Sequence, residues 1–119
     1  MKIAISSRGP SLEDEVDPRF GRAAYILIVD SESLEYEALD NSANVNALKG
    51  AGIQTATTVC DKKADVLMTG YCGPKAFQVL QAADVKVVND ASGSVKDAIT
   101  QLKDGNVAYS TEANTDAHW

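Results

Sequence analysis

The sequence predicts an α/β domain: a mixed five-stranded sheet in the order 3-2-1-4-5 with three helices. Three observations lead there. Short apolar runs rich in β-branched residues recur along the chain, and the first two are separated by a long loop. From residue 49 onward such runs alternate with stretches of helical period, the pattern of right-handed crossovers between parallel strands. The chain, at 119 residues with 45% hydrophobic content, is long enough for one sizeable core and too short for two.

The elements follow in order. Residues 2–7 (KIAISS) and 23–30 (AAYILIVD) are short and apolar, so both read as central strands. A turn at Asp30-Ser31-Glu32-Ser33 leads to residues 34–39 (LEYEAL), where apolar and charged residues alternate as on a half-exposed edge strand. These two strands make a hairpin. Residues 49–63 change period: Ile53, Ala56, Thr57 and Cys60 fall on one helical stripe, which points Cys60 inward. A buried strand at 65–70 ends in glycine, and a helix at 74–83 starts on Pro74, a residue suited to the first helical position. Its apolar face is Ala76, Phe77, Leu80 and Ala83. Residues 85–89 form the last strand. Ser94-Val95-Lys96-Asp97 resembles a capping box and opens a helix carrying Val95, Ala98, Ile99 and Leu102, which Gly105 can end. The domain therefore spans 1–107. Residues 108–119 lack an apolar period and are expected to be a flexible tail.

Charge and composition narrow the function. Eleven basic against seventeen acidic residues give a net charge of −6, which argues against nonspecific binding to nucleic acid or to an anionic membrane. No apolar run approaches the roughly 18 residues of a membrane span, and the start of the chain is too short in apolar residues for a secretory signal. A cytoplasmic protein is the expectation. The two cysteines, Cys60 and Cys72, are too far apart for a C-x-x-C pair and suggest neither a disulfide framework nor a closed zinc site. The single histidine, His118, lies in the expected tail, so no Ser-His-Asp set fits within the core and an enzyme is not expected. Gly50-Ala51-Gly52 lacks the Lys-Ser/Thr ending of a phosphate-binding P-loop and gives no nucleotide reading.

A ligand site is expected beyond the carboxyl ends of the parallel strands. The loop that follows Ser7 brings Arg8, Arg19 and Arg22 into an otherwise acidic protein, enough to cradle a small anion if the guanidiniums converge rather than simply being solvated. The acidic stretch Glu13-Asp14-Glu15 with Asp17 reads as a solvated part of the same loop. The second loop, Gly70-Tyr71-Cys72-Gly73-Pro74, opens a helix whose first amides, near Lys75 and Ala76, also favour an anion. Cys72 stays open between a small packed turn residue and a thiol with lowered pKa, able to meet a soft metal. Cys60 reads as a buried hydrophobe.

Taken together, Met1 to Ser7, Asp17-Pro18-Arg19-Phe20-Gly21-Arg22-Ala23, Gly50-Ala51-Gly52 and Gly73-Pro74-Lys75-Ala76-Phe77 after Gly70 resemble the dinitrogenase iron-molybdenum cofactor biosynthesis family. That family includes NifX, the NafY core, the C-terminal part of NifB and an orange-protein branch. The resemblance covers residues 1 to about 107 and implies a ribonuclease H-like fold without nuclease activity. It also implies binding or carriage of an anionic metal-sulfide cluster, either an iron-molybdenum cofactor precursor or a molybdenum-copper sulfide cluster, and a protein partner in cluster assembly or delivery. The residues it carries over are Arg19, Phe20, Gly21, Arg22 and the turn from Gly70 to Pro74. Histidine ligation, used by some relatives, has no candidate within the domain, and the resemblance assigns no role to Cys72. The alternative of the same fold is a cofactor-free interaction module.

Overall fold

A computed structural model describes residues 1–45, 50–111 and 113. Strand β1 (Lys2–Ser7) lies at the centre because both of its faces are covered: Ile3 and Ile5 point to one side, Ala4 and Ser6 to the other, and all four are buried. It pairs antiparallel with β2 (Tyr25–Asp30), which pairs antiparallel with β3 (Tyr36–Asp40). On its other side it pairs in parallel with β4 (Val66–Met68), and β4 with β5 (Lys86–Val88). The order is β3-β2-β1-β4-β5, as the sequence predicts.

The described residues form four α-helices beside the sheet. A short turn of helix, α1 (Ser42–Val45), precedes the three helices expected from the sequence: α2 (Ala51–Asp61), α3 (Pro74–Ala82) and α4 (Val95–Lys103). Helices α2 and α3 cover one face of the sheet, where Ala56, Val59, Phe77 and Leu80 pack on Ala4, Ile26, Ile28, Leu67 and Val87. Helix α4 covers the other, with Val95, Ala98, Ile99 and Leu102 against Ile3, Ile5, Leu27, Met68 and Val88. Each fully buried side chain of this size contributes roughly 1.5–3 kcal/mol by leaving water, so the two clusters are the main stabilising layers.

The phase of α2 differs from the expected stripe. Ala51, Thr55, Ala56 and Val59 face the core, whereas Ile53 is 38% exposed, Thr57 is exposed and Cys60 is only half-buried. The reason is a polar residue that hydropathy would place outside: Thr55 is fully buried because its Oγ1 donates to Ala51 O at 2.8 Å and lies 3.2 Å from Asn41 Oδ1. Cys60 rests at the rim of the core, its Sγ 4.0 Å from Val79 O. The Cys60 thiol is held above its ordinary pKa by burial and then by Asp61.

Beyond α4 the chain turns back on the sheet. Val107 packs on the α4-side cluster, Ser110 N donates to Val87 O at 2.7 Å, and Ala113 touches the α2/α3-side cluster. The expected flexible tail thus includes residues in contact with the domain; residue 112 and residues 114–119, with His118 and Trp119, lie outside the described residues. Among the described residues, no helix is long and apolar enough to cross a membrane.

Candidate ligand site at the carboxyl edge of the sheet

The parallel strands β1, β4 and β5 all end at one edge, and the loops that follow them are tied together there. After β1 an arm runs back along the chain, with Arg8 N donating to Glu15 O and Asp17 N to Ser6 O, both at 2.9 Å. Val16 N donates to Gly93 O, and Val95 N to Asp14 O, so this arm is fixed to the start of α4. Asp17 is almost fully buried: its Oδ1 accepts from Arg19 N at 3.0 Å and lies 3.7 Å from Arg19 Nε. It is therefore a turn-forming carboxylate rather than the solvated group expected from the sequence. Glu13 and Glu15 are exposed, as expected.

A 3-10 turn (Phe20–Arg22) follows and is pressed between two neighbours. A Cβ on Gly21 would stand 2.7 Å from Gly52 N, so glycine lets the turn sit directly on the start of α2. A Cβ on Gly70 would stand 2.6 Å from Pro18 Cα, and the backbones on either side are zipped: Tyr71 N donates to Pro18 O at 2.6 Å, and Phe20 N to Tyr71 O at 3.3 Å. The loops after β1 and β4 are thus one rigid unit, with Arg19 bridged to Tyr71.

Two helices begin beside this unit without a side-chain cap. Helix α3 starts at Gly73, and Pro74 occupies its first position, so Phe77 N is the first amide to enter the helical ladder, donating to Gly73 O at 2.9 Å. Helix α2 starts at Gly50 in the left-handed region, φ 80°, and its first ladder bond is Gln54 N to Gly50 O at 3.0 Å. By contrast, α4 is capped by Ser94, whose Oγ accepts from Asp97 N at 3.0 Å. Neither helix start has a side-chain cap: that of α2 is covered by Gly21, whereas that of α3 lies beside the exposed Tyr71, with the positive end of its dipole at this edge. Around them stand the half-exposed Arg19 side chain, Arg22, the exposed Lys75, and two apolar groups, Ile53 at 38% and Tyr71 at 42% exposure. Cationic groups, open amides and exposed apolar side chains form a surface suited to a soft anion.

The structure sorts the expected site residues. Arg19, Gly21, Arg22, Gly70, Tyr71, Gly73, Pro74, Lys75 and Ala76 all belong to this edge. Arg8 belongs to the arm fixed to α4, and its guanidinium lies 4.0 Å from Glu15, so the three arginines do not travel together. Ser7 is fully buried and its Oγ donates to Gly9 O at 2.7 Å, which commits it to the turn. Phe20, 2% exposed, is a core side chain rather than a shield over the ligand. Cys72 is fully buried in the same core, and burial pushes its thiol up to about 12, which matches the packed-turn alternative of the sequence reading and not the lowered thiol. Desolvation of the thiolate outweighs the helix dipole. Gly50, Gly52 and Ile53 at the start of α2 also border this edge; the sequence gives the glycines only as part of the family resemblance and sets Ile53 on the helix's inward stripe, with no site role for any of them. Among the described residues no group of three or more His, Cys, Asp or Glu is arranged to hold a metal ion.

Fold and site define the class: a small α/β domain with a mixed 3-2-1-4-5 sheet that gathers uncapped helix ends and arginines at one edge. The chain belongs to the dinitrogenase iron-molybdenum cofactor family, whose model matches residues 1–105. Among solved structures it is similar to the apo form of the orange protein of Desulfovibrio gigas, with 44% identity, 96% of each chain covered and a TM-score of 0.92. It is also similar to a Thermotoga protein described as NifB-like, with 32% identity, 96% of this chain and 97% of that one covered, and a TM-score of 0.82. A Methanocaldococcus jannaschii protein described as dinitrogenase-like matches at 12% identity over 94% of this chain and 96% of that one, with a TM-score of 0.71, which supports the fold alone. No curated protein matches the sequence at a significant level.

Proposed function

We propose that this protein binds an anionic, molybdenum-containing metal-sulfide cluster, of molybdenum-copper or iron-molybdenum type, and carries or stores it rather than transforming it. The observation that carries the proposal is the meeting of two uncapped helix N-termini with Arg19 and Arg22 on a protein whose net charge is −6. A sulfide-rich anion suits this arrangement. Its sulfides accept hydrogen bonds from the amides of Lys75 and Ala76, and the guanidiniums offset its charge. Ile53 and Tyr71 give its weakly hydrated surface an apolar contact. Because Cys72 is buried and protonated, the cluster is held by charge and hydrogen bonds, without a thiolate bond. Membership of a cofactor family supports a protein partner to which such a cargo passes.

The test is reconstitution. Tetrathiomolybdate with copper, added to the apo-protein, is expected to give a visible charge-transfer band at a fixed metal-to-chain ratio. Exchanging Arg19 and Arg22 together for Gln should weaken binding by about fivefold, in line with about 1 kcal/mol for partly exposed charge contacts. No band, together with metal-free protein purified from its native host in a stable protein complex, would favour the cofactor-free interaction module instead.

A further inference from the structure

The carboxyl edge is also held from behind, by the chain that follows α4. Ser110 Oγ accepts from Asn89 Nδ2 at 3.0 Å and from Asn89 N at 3.4 Å, while Ser110 N donates to Val87 O at 2.7 Å. One residue of the C-terminal segment thereby grips β5 at its last residues. The next two amides of the chain face the candidate site: Asp90 N donates to Gly70 O, and Ala91 N to Thr69 O, both at 3.0 Å. Gly70 is the residue stacked on Pro18, and Tyr71 after it is zipped to Pro18 and Phe20. A continuous path of hydrogen bonds thus runs from Ser110 through Asn89 and Asp90 to the turn that opens α3.

Two features bear on how this path is held. Asn89 Oδ1 is buried and has no hydrogen-bond partner among the described residues, so its side chain is secured there through Ser110. Asp90 sits at φ 62°, a left-handed conformation that aspartate tolerates better than most non-glycine residues and that turns the chain toward Gly70. The grip on Asn89 holds Asp90 on one side and the bond to Gly70 holds it on the other.

We infer that Ser110 and Asn89 are positioning residues: the C-terminal segment fixes the turn at residues 70–73, and so sets the aim of the first amides of α3. This role concerns the apo-protein's geometry, and its link to ligand affinity rests on the proposed function above. Apo-protein amide hydrogen exchange tests the first part without any ligand. Ser110→Ala and a chain ending at Val107 should both speed exchange at Asp90, Ala91 and Tyr71 by about five- to tenfold, the effect of losing one to two buried hydrogen bonds, and leave β1 and the middle of α4 unchanged. Ser110→Thr, which keeps the hydroxyl, should restore the parent rates. Parent-like exchange at those three amides in both variants would overturn the inference. Tetrathiomolybdate titration of parent and Ser110→Ala then separates the parts: weaker binding by Ser110→Ala, with binding intact in Ser110→Thr, supports the link. Equal binding by parent and Ser110→Ala overturns it, and no binding by the parent itself overturns the cluster reading while the exchange result stands.

Discussion

At the scale of single residues, Cys72 illustrates how burial decides chemistry. With its thiol pushed up to about 12, the thiolate fraction near neutral pH is on the order of one in ten thousand or less, so the native protein should resist thiol reagents at this position. A disulfide-exchange reagent applied near pH 8 is expected to leave Cys72 unmodified until the chain is unfolded; rapid native labelling of Cys72 would contradict its place in the core. Cys72→Ser should cost about 1–3 kcal/mol in denaturant unfolding, because a hydroxyl replaces a small apolar group among Phe20, Ala76 and Phe77, yet leave cluster affinity unchanged. Glycines make the opposite point. A methyl group at Gly70 or Gly21 meets backbone atoms within 3 Å, which have no flexible end to yield, so Gly70→Ala or Gly21→Ala should each destabilise the fold by about 1–3 kcal/mol. Denaturant melts check this, and an unchanged midpoint would mean that the two loops can separate freely. The sequence revealed that these glycines sit at turns; it could not reveal what presses on them, because Pro18 and Gly52 are remote in the chain.

At the scale of elements, hydropathy period located every strand and each of the three longer helices, because each element buries one continuous face in one of two clusters. It failed at the phase of α2, where a buried threonine and an exposed isoleucine invert the expected stripe. The inversion leaves Ile53 exposed in the first turn of α2. Turns around the hairpin contribute an acid-sensitive element. Asp30, whose carboxylate accepts from Ser33 N and Glu32 N, and Asp40, which is bonded by Ser42, are both held below the ordinary carboxylate pKa of 3.8. A lowered folded pKa means that the stabilisation is fully present above the unfolded value and is lost as pH falls through the folded one. Unfolding midpoints should therefore drop on acidification below about pH 4, and Asp30→Asn with Asp40→Asn should flatten that drop. An undiminished acid transition in the double variant would place the sensitivity elsewhere.

For the molecule as a whole, the sheet order was legible because chain connectivity leaves few alternatives: a hairpin on one side of β1 and right-handed crossovers on the other. That order alone brings the ends of β1, β4 and β5, and hence the starts of α2 and α3, to one edge. The site was legible in outline for the same reason, as a meeting of loops. Its details were not. Whether Arg8 converges with Arg19 and Arg22, and whether Phe20 and Cys72 face the ligand or the core, depends on side-chain packing between segments far apart in sequence. What emerges is an acidic protein that gathers Arg19, Arg22 and Lys75 beside the start of α3, the edge proposed above for a soft anion. The most direct test is a map of backbone amide shifts as tetrathiomolybdate and copper are added to the apo-protein. The largest changes should fall on residues 19–22, 50–53 and 70–76, and should weaken as ionic strength screens the arginines. Changes confined to α4 or the β3 edge, or none at all, would contradict the assignment of the cluster site.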